Sequence, residues 1–482
     1  MYAGSKSRFV LFLVMLTLVV PFAALTTRDE EPKGAEPKQA PAATDKDGKS
    51  TAATESKRVV SPPKPLSDQT KKGLEYLINQ QHEDGGWGQG GGWRSGAQGG
   101  RTEGDKATEP SDIGNTCIAM LALIRSGSSP KDGPYAKPLA RAADFVMNHV
   151  EKADNESLYV TSVRDTQLQS KIGQYVDTFL AGLVLSEIKG KMPNKTGEDK
   201  LAAALDKTIG KIERHQQADG TFAGNAGWAS VLSQGLCSKA LNRAKLRGVA
   251  VKEQTLARDK NQAEVAFNAA KSPTATSTPV GVGAAVGGPA TAAATRPTKG
   301  RAPSSVGGGS DAGVSLYSLS ANAGRLQDKV NSNAVDERKA RETLESKTAP
   351  AAEKQAATRK LVEIADEAKS QSGVVGDILT RLDDKQFLAG FGNNGGEEFL
   401  SYMNLSETMF VQGGKEWERW DRSISEQVQR VQNEDGSWSG HHCITGRTFC
   451  TATALLTLLA DRTPIPVADN TKNTKPSPKD TK

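Results

Sequence analysis

The chain has 482 residues, long enough for two or three domains, but only 36% are apolar and 5% aromatic, which predicts one substantial core. Its 62 basic and 56 acidic residues are interspersed, so the net charge of +6 forms no basic tract and excludes nucleic acid as an expected partner. Gly and Ala cluster in stretches with little apolar surface to bury, and these are not expected to pack.

The N-terminus carries Lys6 and Arg8 ahead of an uncharged apolar run over 9–27. This charge order is typical of an export signal, and the run is close to the ~20 residues that span a bilayer. We therefore interpret residues 1–27 as a signal peptide or a membrane anchor, and both alternatives stay open. Either one predicts an extracytoplasmic protein, secreted or held at the membrane by this segment.

Three further segments lack the composition of a packed domain. Residues 28–66 are rich in Lys, Glu, Ala, Pro and Thr without aromatic residues, which predicts a disordered tether. The tail over 464–482 is similar in composition. Residues 272–312 contain few charges and no Leu, Ile or aromatic residue, so we expect a disordered low-complexity loop.

Helical periodicity dominates the remaining sequence and strand signals are nearly absent, which predicts an all-α fold. In the first helix, Leu74, Leu77 and Ile78 lie on one face. A second helix is predicted to start after the N-cap Asp112 and to stop at Gly127. Further helices are predicted over 136–152, 172–190, 199–216, 227–247, 396–413, 421–432 and 446–461.

Amphipathic helices alternate with more apolar ones, and this pairing predicts two layers, with the apolar helices inside. The array has a first part over 67–271 and a last part over 390–463. Two charged helices, over about 315–347 and 351–384, lie between these parts. We interpret residues 313–389 as a charged helical hairpin inserted into the array.

Three amphipathic helices end in one pattern, a Gln followed by Asp-Gly and an aromatic residue. The pattern consists of Gln81, Gly85 and Trp87 in the first copy, Gln217, Gly220 and Phe222 in the second, and Gln432, Gly436 and Trp438 in the third. A Gln amide can satisfy main-chain groups left at a helix end, Asp-Gly forms the turn and the ring covers it. The pattern is therefore interpreted as structural rather than catalytic.

Preceded by Lys72-Gly73, the first copy resembles the QW repeat of squalene and oxidosqualene cyclases and of protein prenyltransferase β subunits. The other two copies are degenerate versions of the same repeat. The resemblance covers about 67–247 and 390–461. It implies an α/α toroid, complete or incomplete, in which inner helices surround a central cavity and outer helices wrap them.

The catalytic signatures of these families are missing. The nearest approach to the Asp-x-Asp-Asp motif of squalene–hopene cyclases is Asp383-Asp384, within the charged hairpin. Neither the Asp-x-Cys of the prenyltransferase zinc site nor the Gly-Cys-Gly-Glu-Gln of the related thioester domains occurs. Cys117 and Cys237 lie in apolar helical runs and are interpreted as small core residues.

The densest chemical cluster is "DGSWSGHHCITGRTFC", which contains Asp435, His441, His442, Cys443 and Cys450. Zinc is one candidate cofactor here, bound by one His, both Cys residues and Asp435 or water. In an oxidising compartment, a disulfide between Cys443 and Cys450 is the competing interpretation. Two free buried thiols are a third alternative.

The Gly-rich run "GGWGQGGGWRSG" lacks the strand before it and the Gly-Lys-Ser/Thr after it that a phosphate-binding loop requires. We expect a mobile loop at the rim of the cavity, with Trp93 and Arg94, together with His441 and His442, as candidate ligand contacts. The predicted function is binding of an unknown ligand or protein partner without cyclase chemistry. The alternative is a zinc-dependent, prenyltransferase-like or hydrolytic enzyme centred on His441-His442-Cys443.

Overall fold

The computed structural model describes residues 62–94, 100–102, 109–271, 314–392 and 394–464. The predicted signal peptide or anchor and the low-complexity loop lie outside these residues, as do most of the tether and nearly all of the tail. None of the helices within the described residues is both long and apolar enough to cross a membrane.

The described residues are mostly helical, which confirms the all-α prediction. Their helices are α1 (Asp68–Asn79), α2 (Ile113–Arg125), α3 (Ala136–Lys152), α4 (Gln167–Ile172), α5 (Val176–Ile188), α6 (Lys195–His215), α7 (Ser230–Leu246), α8 (Glu253–Lys271), α9 (Ser315–Glu345), α10 (Ala351–Leu379), α11 (Lys385–Ala389), α12 (Gly396–Gln412), α13 (Gly414–Arg430) and α14 (Arg447–Leu458). A short antiparallel pair joins β1 (Gly92–Arg94) to β2 (Gly100–Thr102). The sequence predictions did not include α4, α8 or α11.

Six helices form a closed cycle of contacts. α2 packs against α5, α5 against α7, α7 against α9, α9 against α12, α12 against α14, and α14 against α2. We call these six the inner helices. Every residue of α2 and α5 is buried, because both helices are apolar on nearly all faces.

Amphipathic helices cover the inner ones. α1 packs on α14, α3 and α6 on α2 and α5, α8 and α10 on α9, and α13 on α12 and α14. In α13, the buried side chains are Trp420, Ile424 and Val428, spaced four residues apart along one face. The two predicted layers are thus present in these contacts.

The inner helices begin at one common end of the cycle. The Tyr317 hydroxyl near the start of α9 donates to Glu398 near the start of α12. A Cβ on Gly114, near the start of α2, would lie 2.8 Å from Asp177 Oδ1, near the start of α5. At the opposite end, Arg125 in the last turn of α2 bonds to Glu187 in the last turn of α5. The main-chain N–H groups of these helices therefore face the end where they begin.

α9 lies inside the array rather than in an insertion. Its residues 316–329 are buried, with α7 on one side and α12 on the other. Buried polar side chains of α9 form hydrogen bonds within the array. Asn322 Nδ2 donates to Ser318 O at 2.9 Å, and Ser332 Oγ donates to Asn242 Oδ1 of α7 at 2.7 Å. The interpretation of 313–389 as an inserted hairpin therefore fails for α9, because its polar composition concealed an inner helix.

A buried ion cluster fills the end of the cycle where the inner helices finish. Its members are Arg125, Glu187, Lys239, Arg243, Asp328 and Glu407. Lys239 Nζ lies 2.6 Å from Glu407 Oε2 and 3.1 Å from Asp328 Oδ2. Each charge is thus paired, as burial requires.

The first Gln–Gly–aromatic turn joins neighbouring helices of the outer layer. Gln81 Nε2 donates to Gly85 O at 2.8 Å and to Pro138 O of α3 at 2.9 Å. Trp87 is fully buried and its Nε1 donates to Leu77 O at 2.7 Å. The turn therefore attaches the end of α1 to the first turn of α3.

The third turn repeats this geometry between the last and first of the outer helices. Gln432 Nε2 donates to Gly436 O at 2.8 Å and to Gln69 O of α1 at 2.9 Å. The ring N–H of Trp438 donates to Val428 O at 2.8 Å. The structural interpretation of these two copies matches these contacts.

In the second turn, the repeated contact belongs to Gln216 and not to the predicted Gln217. Gln216 is buried and its Nε2 donates to Thr255 O of α8 at 3.1 Å, whereas Gln217 is exposed. Gly220 adopts φ +83°, and a Cβ there would lie 2.5 Å from the Arg258 carbonyl oxygen. Phe222 covers this turn as predicted and is 5% exposed.

Two of the last five residues of the predicted tether, Lys64 and Leu66, contact the helical array. Lys64 Nζ lies 2.5 Å from Asp421 Oδ2 of α13, and its main-chain N–H donates to Asp461 Oδ2 at 2.7 Å. Leu66 packs against the core. Contacts with the helices therefore begin within the predicted tether, at Lys64.

Candidate functional site

The loop before α14 carries the predicted His–Cys cluster but does not gather it around one point. His441 is exposed, and its main-chain N–H donates to Asn394 O at 2.9 Å. Cys443 and Cys450 are free thiols, and Cys450 Sγ donates to Ile444 O at 3.4 Å. The two cysteines are thus not bonded to each other in this structure, and Cys450 is buried whereas Cys443 is partly exposed.

Asp435 lies in the preceding turn, where its carboxylate accepts hydrogen bonds from Ser437 and pairs with Arg447 at 2.6 Å. The predicted zinc set is thus not assembled. Of its members, only His442 belongs to a group with metal-ligating geometry. Among the described residues, that group consists of Glu397, Glu398 and His442, whose ligand atoms lie within 4.8 Å of one another. We call it the acid–histidine cluster.

The two acids lie in the first turn of α12, and two glycines before them allow the loop to approach. Gly396 N donates to Ile444 O at 2.9 Å, and a Cβ on Gly396 would lie 2.5 Å from Ile444 Cγ2. This close contact brings His442 over the start of the helix. Because α12 is an inner helix, both Glu397 and Glu398 are completely buried.

Glu398 is held in place by four groups. Its Oε1 accepts from the Tyr317 hydroxyl at 2.5 Å and from Phe391 N at 3.0 Å, and lies 3.4 Å from His442 Nε2. Its Oε2 accepts from Gly395 N at 2.8 Å. These donors fix the orientation of the carboxylate and stabilise its charge.

Glu397 is less completely satisfied. Its Oε2 accepts one long hydrogen bond, 3.3 Å, from Ile444 N, whereas its buried Oε1 accepts none from any described residue. Burial, followed by the neighbouring charge of Glu398, raises the pKa of Glu397 to about 7. Glu397 can therefore gain or lose a proton near neutral pH.

His442 favours its charged form. Burial lowers its pKa, but hydrogen bonds to Cys443 and Glu398, together with the charges of both glutamates, outweigh burial and raise that pKa to about 10. Cys443 adopts φ +49°, a conformation that L residues rarely adopt, and its carbonyl oxygen accepts from Gln167 Nε2 at 2.5 Å. The strained residue thus directly follows His442.

Two exposed aromatic side chains lie next to the cluster. The Phe391 ring is centred 5.0 Å from the His442 ring and 6.0 Å from that of Trp228. Phe391 is 48% exposed and Trp228 43% exposed. We call Trp228 and Phe391 the aromatic patch, which forms an apolar surface beside buried carboxylates.

Trp93 and Arg94, the other candidate ligand contacts, occupy a different part of the loop region. Trp93 N donates to Thr445 Oγ1 at 2.6 Å, and its ring is 43% exposed. Arg94 pairs with Glu109 at 2.8 Å. The Gly-rich run packs on the loop before α14, because a Cβ on Gly92 would lie only 2.4 Å from Thr445 Oγ1. This part of the predicted mobile loop is therefore in close contact with Thr445.

A second acidic pair lies where α2 and α5 begin. Asp112 caps α2 by accepting from Asn115 N at 2.8 Å, and Asp177 Oδ2 accepts from Gln169 Nε2 at 2.5 Å. Burial raises the pKa of Asp112 to about 6, and burial together with the charge of Asp112 raises that of Asp177 to about 7.

This pair predicts a pH-dependent stability. Because the folded-state pKa of Asp177 exceeds its unfolded value, the folded state holds more protons, and stability falls as pH rises from about 4 to about 7. Asp177→Asn should therefore be more stable than the wild type at pH 8 by about 2–4 kcal/mol, since one pKa unit corresponds to ~1.4 kcal/mol. At pH 4 the difference should vanish.

Urea denaturation at both pH values measures the effect, with exposed Asp199→Asn as the control that should follow the wild type. An equal stability difference at pH 4 and pH 8 would contradict the assignment.

A cleft of about 760 Å³ lies between α8, α9 and α10 but shares no lining residue with the acid–histidine cluster. Three of its four lysines are already paired, since Lys260 and Lys329 lie 3.6 and 3.4 Å from Glu367, and Lys360 lies 3.1 Å from Glu363. A charged ligand would have to break these pairs, so we favour the acid–histidine cluster as the functional site.

His442 was predicted from the sequence, whereas Glu397, Glu398, Tyr317 and the aromatic patch were not. The sequence feature that could have indicated these acids is "GGEEFL", in which two acids begin a helix that is otherwise largely apolar. Acids are ordinary in the first turn of a helix, so their burial was not apparent. A comparison of the chain with models of known protein families finds no match.

Proposed function

We propose that the chain is an α/α-toroid protein that binds a ligand where its inner helices begin, without cyclase chemistry. The closed cycle of inner helices and their amphipathic cover support the toroid. The observation that carries the binding function is the exposed aromatic patch beside the buried acid–histidine cluster.

The chemistry of the site favours an amphipathic ligand. An apolar group can cover the rings of Trp228 and Phe391, which are both partly exposed. A cationic or hydrogen-bond-donating head group can then reach Glu397, whose Oε1 accepts no hydrogen bond from the described residues. Only one imidazolium balances two carboxylates, so a positive head group is preferred over a negative one.

The extracytoplasmic location, secreted or membrane-anchored, remains part of this proposal. It is supported by Lys6 and Arg8 ahead of the apolar run over 9–27. The mature N-terminus, determined by mass spectrometry after cell fractionation, distinguishes a cleaved signal from an anchor. A full-length chain in the cytosol would contradict both alternatives.

A second candidate function, a metal-dependent enzyme, is favoured by one observation, the carboxylate and imidazole donors of the cluster. The predicted Cys-containing zinc set does not support it, because those residues are not assembled.

Fluorine NMR of EDTA-treated protein tests ligand binding when the six tryptophans are replaced by 5-fluorotryptophan. Titration with decylamine should shift the resonance of Trp228, assigned with Trp228→Phe. Decylamine should bind about tenfold more tightly than decanol, since a charge-assisted hydrogen bond adds about 1.4 kcal/mol, and decanoate should bind most weakly. Glu397→Gln should remove the preference for the amine.

Trp93 provides the matched control, because it is as exposed as Trp228 yet bonded to Thr445. Its resonance should not move. Equal shifts at both tryptophans would indicate non-specific adsorption, and equal affinities for the three probes would contradict recognition by the acids.

A further inference from the structure

We propose that Glu397, Glu398 and His442 together bind one divalent transition-metal ion, with zinc the best match. The inference concerns the site of the proposed function, but its evidence and its test need no organic ligand. Either proposal can therefore fail without the other.

The geometry of the three side chains suits one ion. Their ligand atoms lie within 4.8 Å of one another, with Glu398 Oε1 and His442 Nε2 at 3.4 Å. An ion bonded at about 2.0–2.2 Å brings its ligand atoms to roughly 3–4 Å apart. Small rotations of Glu397 and His442 are enough to close the remaining gap, because His442 lies in a loop.

Burial supplies an independent argument. Glu397 and Glu398 are adjacent and completely buried, yet Glu397 Oε1 accepts no hydrogen bond from any described residue. An unpartnered carboxylate oxygen inside a protein is costly unless a cation or a proton accompanies it. His442 is the only basic side chain in this group of three, and one imidazolium balances only one of the two carboxylates.

The surroundings of Glu398 resemble the outer shell of a metal site. The Tyr317 hydroxyl and the main-chain N–H groups of Phe391 and Gly395 donate to its two oxygens and fix its orientation. Such partners commonly orient metal-ligating carboxylates.

The donor set selects the class of ion. Two carboxylates and one imidazole suit Zn²⁺, whereas Mg²⁺ prefers oxygen ligands and water. Three protein ligands leave a fourth position open, as in sites that bind a water or a substrate. That position is accessible from the rim, because His442 is partly exposed and Phe391 beside it is 48% exposed.

The test is zinc binding by the EDTA-stripped full chain, measured by isothermal titration and by metal analysis after gel filtration. The wild type should retain one zinc per chain, with Mg²⁺ failing to displace it. Glu397→Gln and His442→Gln should each weaken zinc binding by at least about 100-fold, since even the loss of an outer-shell partner costs 10–100-fold. Thermal unfolding without metal verifies that each variant folds.

Matched controls are His441→Gln and Cys443→Ser, which alter the neighbours of His442 in the same loop. Both should retain one zinc. If Cys443→Ser or His441→Gln abolishes zinc binding while Glu397→Gln does not, the ion belongs to the Cys–His set and the proposal is wrong. A wild type that binds no zinc would show instead that a proton accompanies Glu397, which also overturns the proposal.

Discussion

Glu187→Gln is expected to lower the free energy of unfolding by about 3–5 kcal/mol, because it breaks a buried ion cluster while leaving the opposite charges in place. Glu187 is completely buried at the end of α5, with Arg125 at 3.0 Å and Arg243 at 3.3 Å. Burial opposes its charge, but these two arginines outweigh burial and lower the pKa of Glu187 to about 2. Its neutral replacement leaves two buried guanidinium groups without their main partner.

Urea denaturation near pH 7 measures this loss against Glu337→Gln. Glu337 pairs with Arg341 at 2.6 Å on the exposed surface of α9, so its replacement should cost less than about 1 kcal/mol. If the two variants lose similar stability, the buried cluster contributes no more than a surface ion pair, which would contradict the expected loss.

Trp438→Ala is expected to cost about 3–5 kcal/mol, as for other large aromatic side chains removed from a core. The Trp438 ring is completely buried where the outer helices α13 and α1 meet, and its Nε1 bonds to Val428 O at 2.8 Å. A Cβ on Gly73 would lie 2.8 Å from the ring, so α1 meets the ring with its main chain and has no side chain at this position to fill the resulting cavity. Trp87 is equally buried and its Nε1 bonds to Leu77 O of α1 at 2.7 Å, so Trp87→Ala should cost a similar amount.

The control for both variants is Trp93→Ala, since the Trp93 ring is 43% exposed. It should change stability by less than about 1 kcal/mol. Thermal or urea unfolding compares the three proteins. Loss of stability in Trp93→Ala equal to that in Trp438→Ala would contradict the assigned role of the turns.

The turns were predictable from sequence because they depend on local spacing. In the structure, Gln precedes Gly by four residues and the aromatic residue follows Gly by two in every copy, including Gln216, Gly220 and Phe222. The sequence prediction placed the second Gln at 217 because two glutamines are adjacent there. Only the contact of Gln216 with Thr255, far along the chain, distinguishes them.

The position of α9 was not predictable in the same way. Helical periodicity in a sequence identifies a helix by its apolar face. The first half of α9 instead buries many polar side chains, among them Ser, Asn, Arg and Lys. Arg325, for example, is buried beside Asp259 of α8, whose carboxylate lies 2.6 Å from its guanidinium group. Such a pairing arises from packing between distant segments and leaves no local pattern.

The candidate site depends on tertiary packing as well. His442 was singled out by its His–Cys neighbours, but its partners Glu397 and Glu398 come from another helix and are brought together by close packing at Gly396. Cys443 was also predicted, and it hydrogen-bonds to His442, whereas Cys450 bonds to Ile444 O and neither thiol belongs to the acid–histidine cluster.

A crystal structure of the EDTA-treated protein with decylamine most directly tests the central claim, that the ligand site lies where the inner helices begin. We expect electron density for the alkyl chain against Trp228 and Phe391, with the ammonium group within hydrogen-bonding distance of Glu397. Density for decylamine in the cleft between α8, α9 and α10 instead, or unaltered solvent over the aromatic patch at saturating decylamine, would contradict the claim.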